Sequence, residues 1–189
     1  MFVKVRYSVM MMKADQSCLV ILDVQEKLAP VMHDPRRVIA GCTILLHAAA
    51  RLNVPVLITE QYPKGLGPTM IDLREMAPQY VTIEKISFSA ASEPSFLARL
   101  ETVGRRQLIL AGIETHVCVL QTALELKEKG WDVFVVGDCC SARRAESEAM
   151  AHERLRTAGI HLVNREMVLF EWLEKAGTPE FKELQALIR

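Results

Sequence analysis

Three residues of the sequence have side chains suited to hydrolytic chemistry, namely the thiol of Cys118, the carboxylate of Asp23 and the ammonium of Lys85. A thiolate is a strong nucleophile, a carboxylate can accept and return its proton, and an ammonium stabilises nearby negative charge. Each of the three ends or follows a short apolar segment of the chain. The set therefore indicates a nucleophile, a base and an electrostatic partner delivered by three different strands.

Cys118 lies between an apolar segment and a long helical pattern. Thr115 is suited to be the N-cap of that helix, which would place Cys118 in the first turn. Free backbone amides and the positive end of the helix dipole would then lower the pKa of the thiol and bind an oxyanion. The alternative is that Cys118 is a small buried hydrophobe, the commoner role of a lone cysteine.

Asp23 and Lys85 each have a structural alternative as well. Asp23 directly follows the apolar residues 19–22, where it is either a general base or the cap of a turn. Lys85 either stabilises a thiolate or is an ordinary surface lysine. None of the three residues identifies a catalytic site by itself. Their shared location at the ends of strands favours the catalytic interpretation of all three.

Six apolar segments, each followed by a helical pattern, predict the elements that position these residues. Continuous apolar character, as in residues 19–22, is typical of parallel strands buried on both faces. The alternation predicts a Rossmann-like three-layer α/β/α sandwich with a six-stranded, mainly parallel sheet. The predicted strands are residues 18–23, 55–60, 81–84, 107–112, 132–137 and 160–164; the predicted helices are 35–52, 92–103, 115–129, 146–158 and 166–176. Because sites in such sheets form at the carboxyl ends of strands, Asp23, Lys85 and Cys118 are expected at one edge.

The composition narrows the class of protein further. The length of 189 residues favours one domain, which is expected at 15–189. Residues 1–14 are expected to form a flexible leader. Lys plus Arg and Asp plus Glu both number 23, and this balance argues against a protein that binds nucleic acid, which would need an excess of positive charge. The neutral net charge favours association into a homo-oligomer. No segment approaches the ~20 apolar residues of a membrane span. Five cysteines without a C-x-x-C motif favour a reducing compartment, by default the cytoplasm.

Four motifs resemble those of the isochorismatase-like cysteine hydrolases. They are residues 23–25, Glu84-Lys85 with Phe88, residues 112–118 and residues 138–143. Residues 59–67 and 114–118 are most similar to the isochorismatase-domain-containing subgroup. The resemblance implies the isochorismatase-like hydrolase fold, an Asp23–Lys85–Cys118 triad that needs no cofactor, and an oligomer.

The resemblance also implies the surroundings of the triad. A cis peptide bond is expected between Ile113 and Glu114, with an oxyanion site formed around Ile113, Glu114 and Cys118. The substrate-binding residues are expected to be Gln25, Tyr62, Phe88 and Thr115. For Tyr62 and Phe88, ordinary packing at the sheet edge is an equal alternative.

The sequence departs from one branch of the family. Nicotinamidases of this superfamily bind a metal through an acidic residue and histidines after the second strand, where this chain has Glu60-Gln61-Tyr62. No metal is therefore expected. The favoured function is hydrolysis of a C–N bond in a small amide or related substrate through a cysteine thioester. The alternatives are isochorismatase-type hydrolysis of a vinyl ether without covalent catalysis, and a non-catalytic binding or scaffold protein on the same fold.

Overall fold

The fold is built on a six-stranded sheet in which every strand pair is parallel. The structure, a computed structural model, describes residues 10–76 and 81–188. The strand order is β3-β2-β1-β4-β5-β6, so β1 and β4 are neighbours at the centre. The strands are β1 (Ser17–Leu22), β2 (Val56–Gln61), β3 (Val81–Lys85), β4 (Gln107–Ile113), β5 (Asp132–Ser141) and β6 (His161–Val163).

Helices cover both faces of this sheet. They are α1 (Pro35–Arg51), α2 (Pro63–Leu66), α3 (Ile71–Met76), α4 (Pro94–Val103), α5 (Leu120–Glu128), α6 (Ala145–Thr157), α7 (Arg165–Leu173) and α8 (Pro179–Gln185). The six residues of β1 are all buried, and they alternate between two hydrophobic cores, with Leu19 in one and Val20 in the other. One core contains apolar residues of α1, α7 and α8, and the other contains those of α4, α5 and α6. The predicted three-layer α/β/α sandwich is therefore confirmed.

Most strands and long helices lie close to their predicted positions; β5, the C-terminal tail and the start of the helix after Cys118 differ from the prediction. β5 continues to Ser141, four residues beyond its predicted end, because Cys139 and Cys140 remain buried in the sheet. The C-terminal tail contains α8, which begins at Pro179 with the Thr178 hydroxyl accepting from the Phe181 amide. Leu184 buries this short helix against the first core.

The helix that carries Cys118 differs from the prediction at its start. Residues Thr115–Val119 form a wide π-type turn, and α5 begins only at Leu120. Glu114, and not Thr115, occupies the N-cap position, and its side chain makes no capping hydrogen bond. The predicted N-cap role of Thr115 is therefore wrong, because its hydroxyl is buried and has no partner within the described part of the chain.

The described end of the predicted leader, residues 10–14, lies against the domain. Met12 is buried in the first core, and its amide donates to Glu171 Oε2 at 2.6 Å. The Lys13 amide donates to Gln107 Oε1 at 2.8 Å. Residues 1–9 of the predicted leader lie outside the described residues. Among the described helices, none has the length and apolar character that crossing a membrane requires.

Candidate active site

The three residues singled out from the sequence meet at the carboxyl edge of the sheet. Asp23 directly follows β1, Lys85 is the last residue of β3, and Cys118 lies in the π-type turn after β4. All three are buried, with exposed fractions of 0%, 2% and 5% respectively. Asp23 leaves the strand with a φ of 55°, a left-handed conformation that aspartate tolerates better than most residues.

Asp23 makes two short contacts through its carboxylate. Its Oδ2 atom lies 2.8 Å from Lys85 Nζ, an ion pair in which both side chains are fully buried. Its Oδ1 atom accepts a hydrogen bond of 2.7 Å from the Thr59 hydroxyl. The approach of Lys85 to Oδ2 is close but poorly directed for a hydrogen bond, so this oxygen has lone-pair capacity left for another donor.

Lys85 Nζ has four oxygen atoms around it. Besides Asp23 Oδ2, these are Gln61 Oε1 at 2.6 Å, the Phe88 carbonyl at 3.1 Å and the Ser87 carbonyl at 3.2 Å. An ammonium has three protons to donate, so every proton has an acceptor. This arrangement holds a buried positive charge in one place, as electrostatic stabilisation of an anion requires.

Cys118 lies close enough to this ion pair for both charges to affect the pKa of its thiol. Burial raises the pKa of Cys118 to about 12, the Asp23 carboxylate adds to the increase, and the Lys85 ammonium acts in the opposite direction. The prediction of a lowered pKa for the free thiol is therefore wrong, because burial and the carboxylate outweigh the lysine and the start of the helix. A neutral thiol beside a carboxylate has a proton acceptor available to it.

The turn that presents Cys118 begins at a cis peptide bond between Ile113 and Glu114, as the family resemblance implies. The Glu114 carbonyl accepts from the amides of Val117 at 3.0 Å and Val119 at 3.3 Å, which closes the turn around Cys118. The Glu114 carboxylate faces the other way, and its Oε2 accepts from Arg143 Nε at 2.9 Å. The oxyanion role of Ile113, Glu114 and Cys118 stays a prediction.

Gly112 allows β4 to run close to β1 just before this turn. Its φ is 122°, and a Cβ atom at this position would lie 2.1 Å from the Leu22 carbonyl oxygen. Only glycine fits both the dihedral angle and this approach. Gly112 thereby sets the distance between the strand that carries Asp23 and the strand that leads to Cys118.

Gln25 is hydrogen-bonded to backbone groups at the end of β2 and in the loop that follows β2. Its Nε2 donates to the carbonyls of Gln61 at 3.0 Å and Gly67 at 2.6 Å, and its Oε1 accepts from the Gln61 amide at 2.7 Å. Both donor protons are used, and the side chain is fully buried. The amide thereby holds the end of β2, including Gln61, in position beside Lys85. The expected contact of Gln25 with a substrate stays a prediction.

Tyr62 and Phe88 lie beside Lys85 with more than half of their surface exposed. The Tyr62 amide donates to the Lys85 carbonyl at 2.9 Å, and the Phe88 carbonyl accepts from the lysine. Ile86, next to Lys85 in the chain, is also exposed. Exposed side chains therefore lie on both sides of Lys85 along the chain and its hydrogen-bonded neighbours, whereas Thr115 is buried with a hydroxyl that has no partner among the described residues.

Two contributors, Thr59 and Gln61, were not predicted as site residues. Both lie at the end of β2, two positions apart and therefore on one face of the strand. Thr59 binds Asp23 and Gln61 binds Lys85, so β2 supplies a hydrogen bond to each partner of the ion pair. A signal was present in the sequence, because Thr59 and Gln61 are polar residues at the carboxyl end of an otherwise apolar strand.

Metal ligands require a cluster of histidine, cysteine or acidic side chains. Within residues 10–76 and 81–188 the structure contains no group of three or more such side chains arranged to hold an ion. Glu60, at the position where metal-binding relatives have a ligand, instead accepts from the Thr69 amide and hydroxyl, each at 2.7 Å.

This fold, with a buried carboxylate, lysine and cysteine at one sheet edge, defines a class of α/β hydrolases. The isochorismatase domain family matches residues 17–167, and the chain belongs to this family. Among curated relatives, a protein of Phytophthora sojae called secreted isochorismatase effector Isc1 is 39% identical over 92% of this chain and 84% of its own. Isochorismatase domain-containing protein 2 of Xenopus laevis is 39% identical over 91% of this chain and 83% of its own.

Solved structures show the same fold. A Caenorhabditis elegans protein described as MAR1 ribonuclease is 36% identical, with a TM-score of 0.89 over 95% of this chain and 92% of its own. The ycaC gene product of Escherichia coli, described as an octameric hydrolase of unknown specificity, is 25% identical, with a TM-score of 0.88 over 94% of this chain and 90% of its own. The chain is thus a hydrolase-family protein with relatives of different described activities.

Proposed function

We propose that this protein hydrolyses a C–N bond in a small amide through a thioester on Cys118, with Asp23 and Lys85 completing a catalytic triad. The observation that supports this most is the protonated, buried Cys118 thiol beside the Asp23–Lys85 ion pair. A thiol in this state needs a base at contact distance, and the Asp23 carboxylate has an oxygen that can accept its proton.

The reaction proceeds in two halves. Asp23 accepts the Cys118 proton as sulfur bonds to the amide carbon, and Lys85 balances the negative charge that the site gains. Asp23 then gives its proton to the leaving nitrogen as the C–N bond breaks, which leaves a thioester and a free amine. Water next loses a proton to Asp23 and attacks the thioester, and the C–S bond breaks; the proton returns to sulfur as the acid leaves. The amides of Glu114 and Cys118 are proposed to bind the oxyanion.

The exposed residues Tyr62 and Phe88 are proposed to contact the substrate, and Thr115 is proposed to offer the substrate a hydroxyl. Two exposed aromatic side chains beside the lysine favour a substrate with a flat or apolar part. The buried Thr115 hydroxyl group lacks a protein partner in the described structure, which suits a group that binds an incoming molecule. No cofactor takes part in this scheme.

The test is a panel of small aliphatic and aromatic amides, with release of amine as the measurement. Wild type is expected to release amine and to show a mass increase of one acyl group on Cys118 after acid quenching. Cys118→Ala is expected to lose both signals, while Cys18→Ala, which removes a buried thiol at the opposite end of β1, should retain them. Amine release by Cys118→Ala would contradict the covalent mechanism.

A second candidate is vinyl ether hydrolysis, favoured by the match to the isochorismatase family. There Asp23 would act as the acid, and the thiol would have no covalent role. Isochorismate turnover that survives in Cys118→Ala would support this reaction. RNA belongs in the same panel because one relative is described as a ribonuclease. No turnover of any substrate, together with a Cys118 reactivity that is independent of Asp23 and Lys85, would favour a binding or scaffold role.

The homo-oligomer and the cytoplasmic location are also proposals. The neutral net charge and the described octamer of the E. coli relative support association. Light scattering is expected to give a mass above the 21.3 kDa of one chain, and a mass of one chain would contradict it.

All five cysteines are free and buried, which supports a reducing compartment, although one relative is called secreted. Cell fractionation tests the location.

A further inference from the structure

The loop that follows Lys85 turns its carbonyl groups back onto the lysine. Ser87 and Phe88, two and three residues after Lys85, supply two of the four oxygens around Nζ. A backbone carbonyl is a useful acceptor only when the loop that carries it has one conformation. The position of the Lys85 charge therefore depends on what holds this loop.

Glu93, at the start of α4, holds the loop through a single carboxylate oxygen. Glu93 Oε1 accepts from the Ile86 amide at 3.1 Å and from the Ser87 amide at 2.9 Å. The two amides are consecutive, and they lie directly before the Ser87 and Phe88 carbonyls. Two bonds to one oxygen fix the direction of these peptide groups, and hence of the carbonyls that face Lys85.

The remaining contacts of this segment agree with such a role. The Ala90 amide donates to the Thr122 hydroxyl at 2.9 Å, which ties the far end of the loop to α5, the helix that follows Cys118. The Gln61 amide nitrogen Nε2 donates to the Ile86 carbonyl at 2.7 Å. Hydrogen bonding from the Ser87 amide lowers the pKa of Glu93, so the carboxylate is charged near neutral pH.

We propose that Glu93 is a positioning residue, which holds the loop of residues 86–89 so that the Ser87 and Phe88 carbonyls orient the Lys85 ammonium beside Asp23 and Cys118. This inference rests on the proposed function, because it assigns Glu93 an effect on Cys118 that is transmitted by Lys85. It concerns a side chain that touches neither the thiol nor a substrate.

The experiment measures alkylation of Cys118 by iodoacetamide at pH 8, followed peptide by peptide with mass spectrometry. The variants are Glu93→Ala, Glu93→Gln, Lys85→Met and the double variant Glu93→Ala with Lys85→Met. Glu101→Ala, which removes an exposed carboxylate from the same helix, is the matched control. Buried Cys18 in the same samples reports any general unfolding.

Lys85→Met is expected to slow alkylation of Cys118, because the thiolate loses its cation. Glu93→Ala should slow it about 3- to 10-fold, up to the effect of one pKa unit. Glu93→Gln should slow it less, since its amide oxygen still accepts. In the double variant the loss of Glu93 should add no more than about 2-fold, since a residue that acts through Lys85 has nothing left to position.

Three results would overturn the inference. A normal rate in Glu93→Ala, with a slowed rate in Lys85→Met, removes Glu93 from the site and leaves the proposed function standing. An equal loss from Glu93→Ala with and without Lys85 shows a general structural effect. A normal rate in Lys85→Met contradicts the proposed role of Lys85 and the inference together. If Cys18 becomes reactive in Glu93→Ala, the comparison of Glu93→Gln with wild type decides.

Discussion

Asp23 Oδ2 lies 2.8 Å from Lys85 Nζ, and neither side chain is exposed to solvent. This ion pair differs from a surface salt bridge because the removal of one partner leaves an uncompensated charge inside the protein, at a cost of about 3–5 kcal/mol. The two charges also act in opposite directions on the pKa of the neighbouring Cys118 thiol, which Asp23 raises and Lys85 lowers. The two influences can be separated by substitution.

Asp23→Asn is expected to make Cys118 more reactive and the protein inactive. The carboxylate raises the pKa of the thiol and Lys85 lowers it, so removal of the negative charge leaves only the lysine. Alkylation of Cys118 by iodoacetamide at pH 8 should be about 10-fold faster, the effect of one pKa unit. Turnover should be lost, because the base is gone.

The control for this variant is Asp132→Asn, at the opposite end of the sheet from the site. It should change neither the reactivity nor the turnover. Buried Cys18 must stay unreactive in Asp23→Asn, which shows that the faster reaction of Cys118 occurs in the folded protein. Slower alkylation of Cys118 in Asp23→Asn would contradict the assigned direction of the carboxylate effect.

Gln25→Leu is expected to destabilise the fold by about 2–3 kcal/mol and to weaken the site indirectly. The leucine would leave the Gln61 amide and carbonyl without their buried partner, and an unsatisfied buried group costs ~1–3 kcal/mol. Chemical denaturation gives the free energy of unfolding. Exposed Gln121 provides the control, since Gln121→Leu should stay within about 0.5 kcal/mol of wild type. An equally small change in Gln25→Leu would argue against the structural role of this amide.

Gly112→Ala is expected to destabilise the protein by more than about 4 kcal/mol, in the range reserved for severe substitutions. A Cβ atom there would overlap the Leu22 backbone, which has no flexible atom to move aside. Gly130→Ala is the matched control, because Gly130 also has a positive φ but has nothing within 4 Å of the added atom. Its cost should be about 1 kcal/mol, from the dihedral angle alone. Similar losses in the two variants would remove the steric explanation.

Stability is expected to fall in alkaline solution. Burial raises the pKa of all five cysteines, from 9.0 to about 12 for Cys18, Cys118 and Cys140 and well above 9.0 for Cys42 and Cys139. Between about pH 9 and pH 12 the folded chain keeps protons that the unfolded chain has lost, so the free energy of unfolding decreases as the pH rises.

Denaturation curves of wild type and Cys18→Ala at pH 8, 9.5 and 10.5 test this effect. The variant should show a shallower decrease, by up to about 1.4 kcal/mol for each pH unit, since one thiol fewer is titrated. Any loss of packing in the variant acts equally at all three values and cancels in the slope. Parallel decreases in the two proteins would contradict the assignment.

The sequence was sufficient to predict the fold and the meeting of Asp23, Lys85 and Cys118, because both depend on apolar segments and on where parallel strands end. The protonation of Cys118 could not be predicted in this way. Thr115 indicated a helix start that would lower the pKa of Cys118, whereas the thiol in the π-type turn is buried near a carboxylate that raises its pKa. Its pKa depends on depth and on charges from other strands, which no local pattern encodes.

Gln25 shows the same limit from another direction. A motif can indicate that an amide is needed after β1, but it cannot indicate whether the amide faces a substrate or the backbone of residues 61–67. In α8 the signals are local and present in the sequence: Thr178 caps the helix, Pro179 occupies its first position and Leu184 supplies the buried contact. The difference is that capping is local, whereas the partners of Gln25 are about 40 residues away in the sequence, at the end of β2 and in the loop after it.

The strand order has a consequence for how heat would inactivate the protein. Asp23 and Cys118 follow the central strands β1 and β4. Lys85 ends β3, which lies at the edge of the sheet and, among the described strands, pairs with β2 alone. Edge strands separate from a sheet in partial opening events that need less free energy than global unfolding. We expect amides of β3 to exchange with deuterium before those of β1, and activity to disappear at temperatures where most of the fold persists.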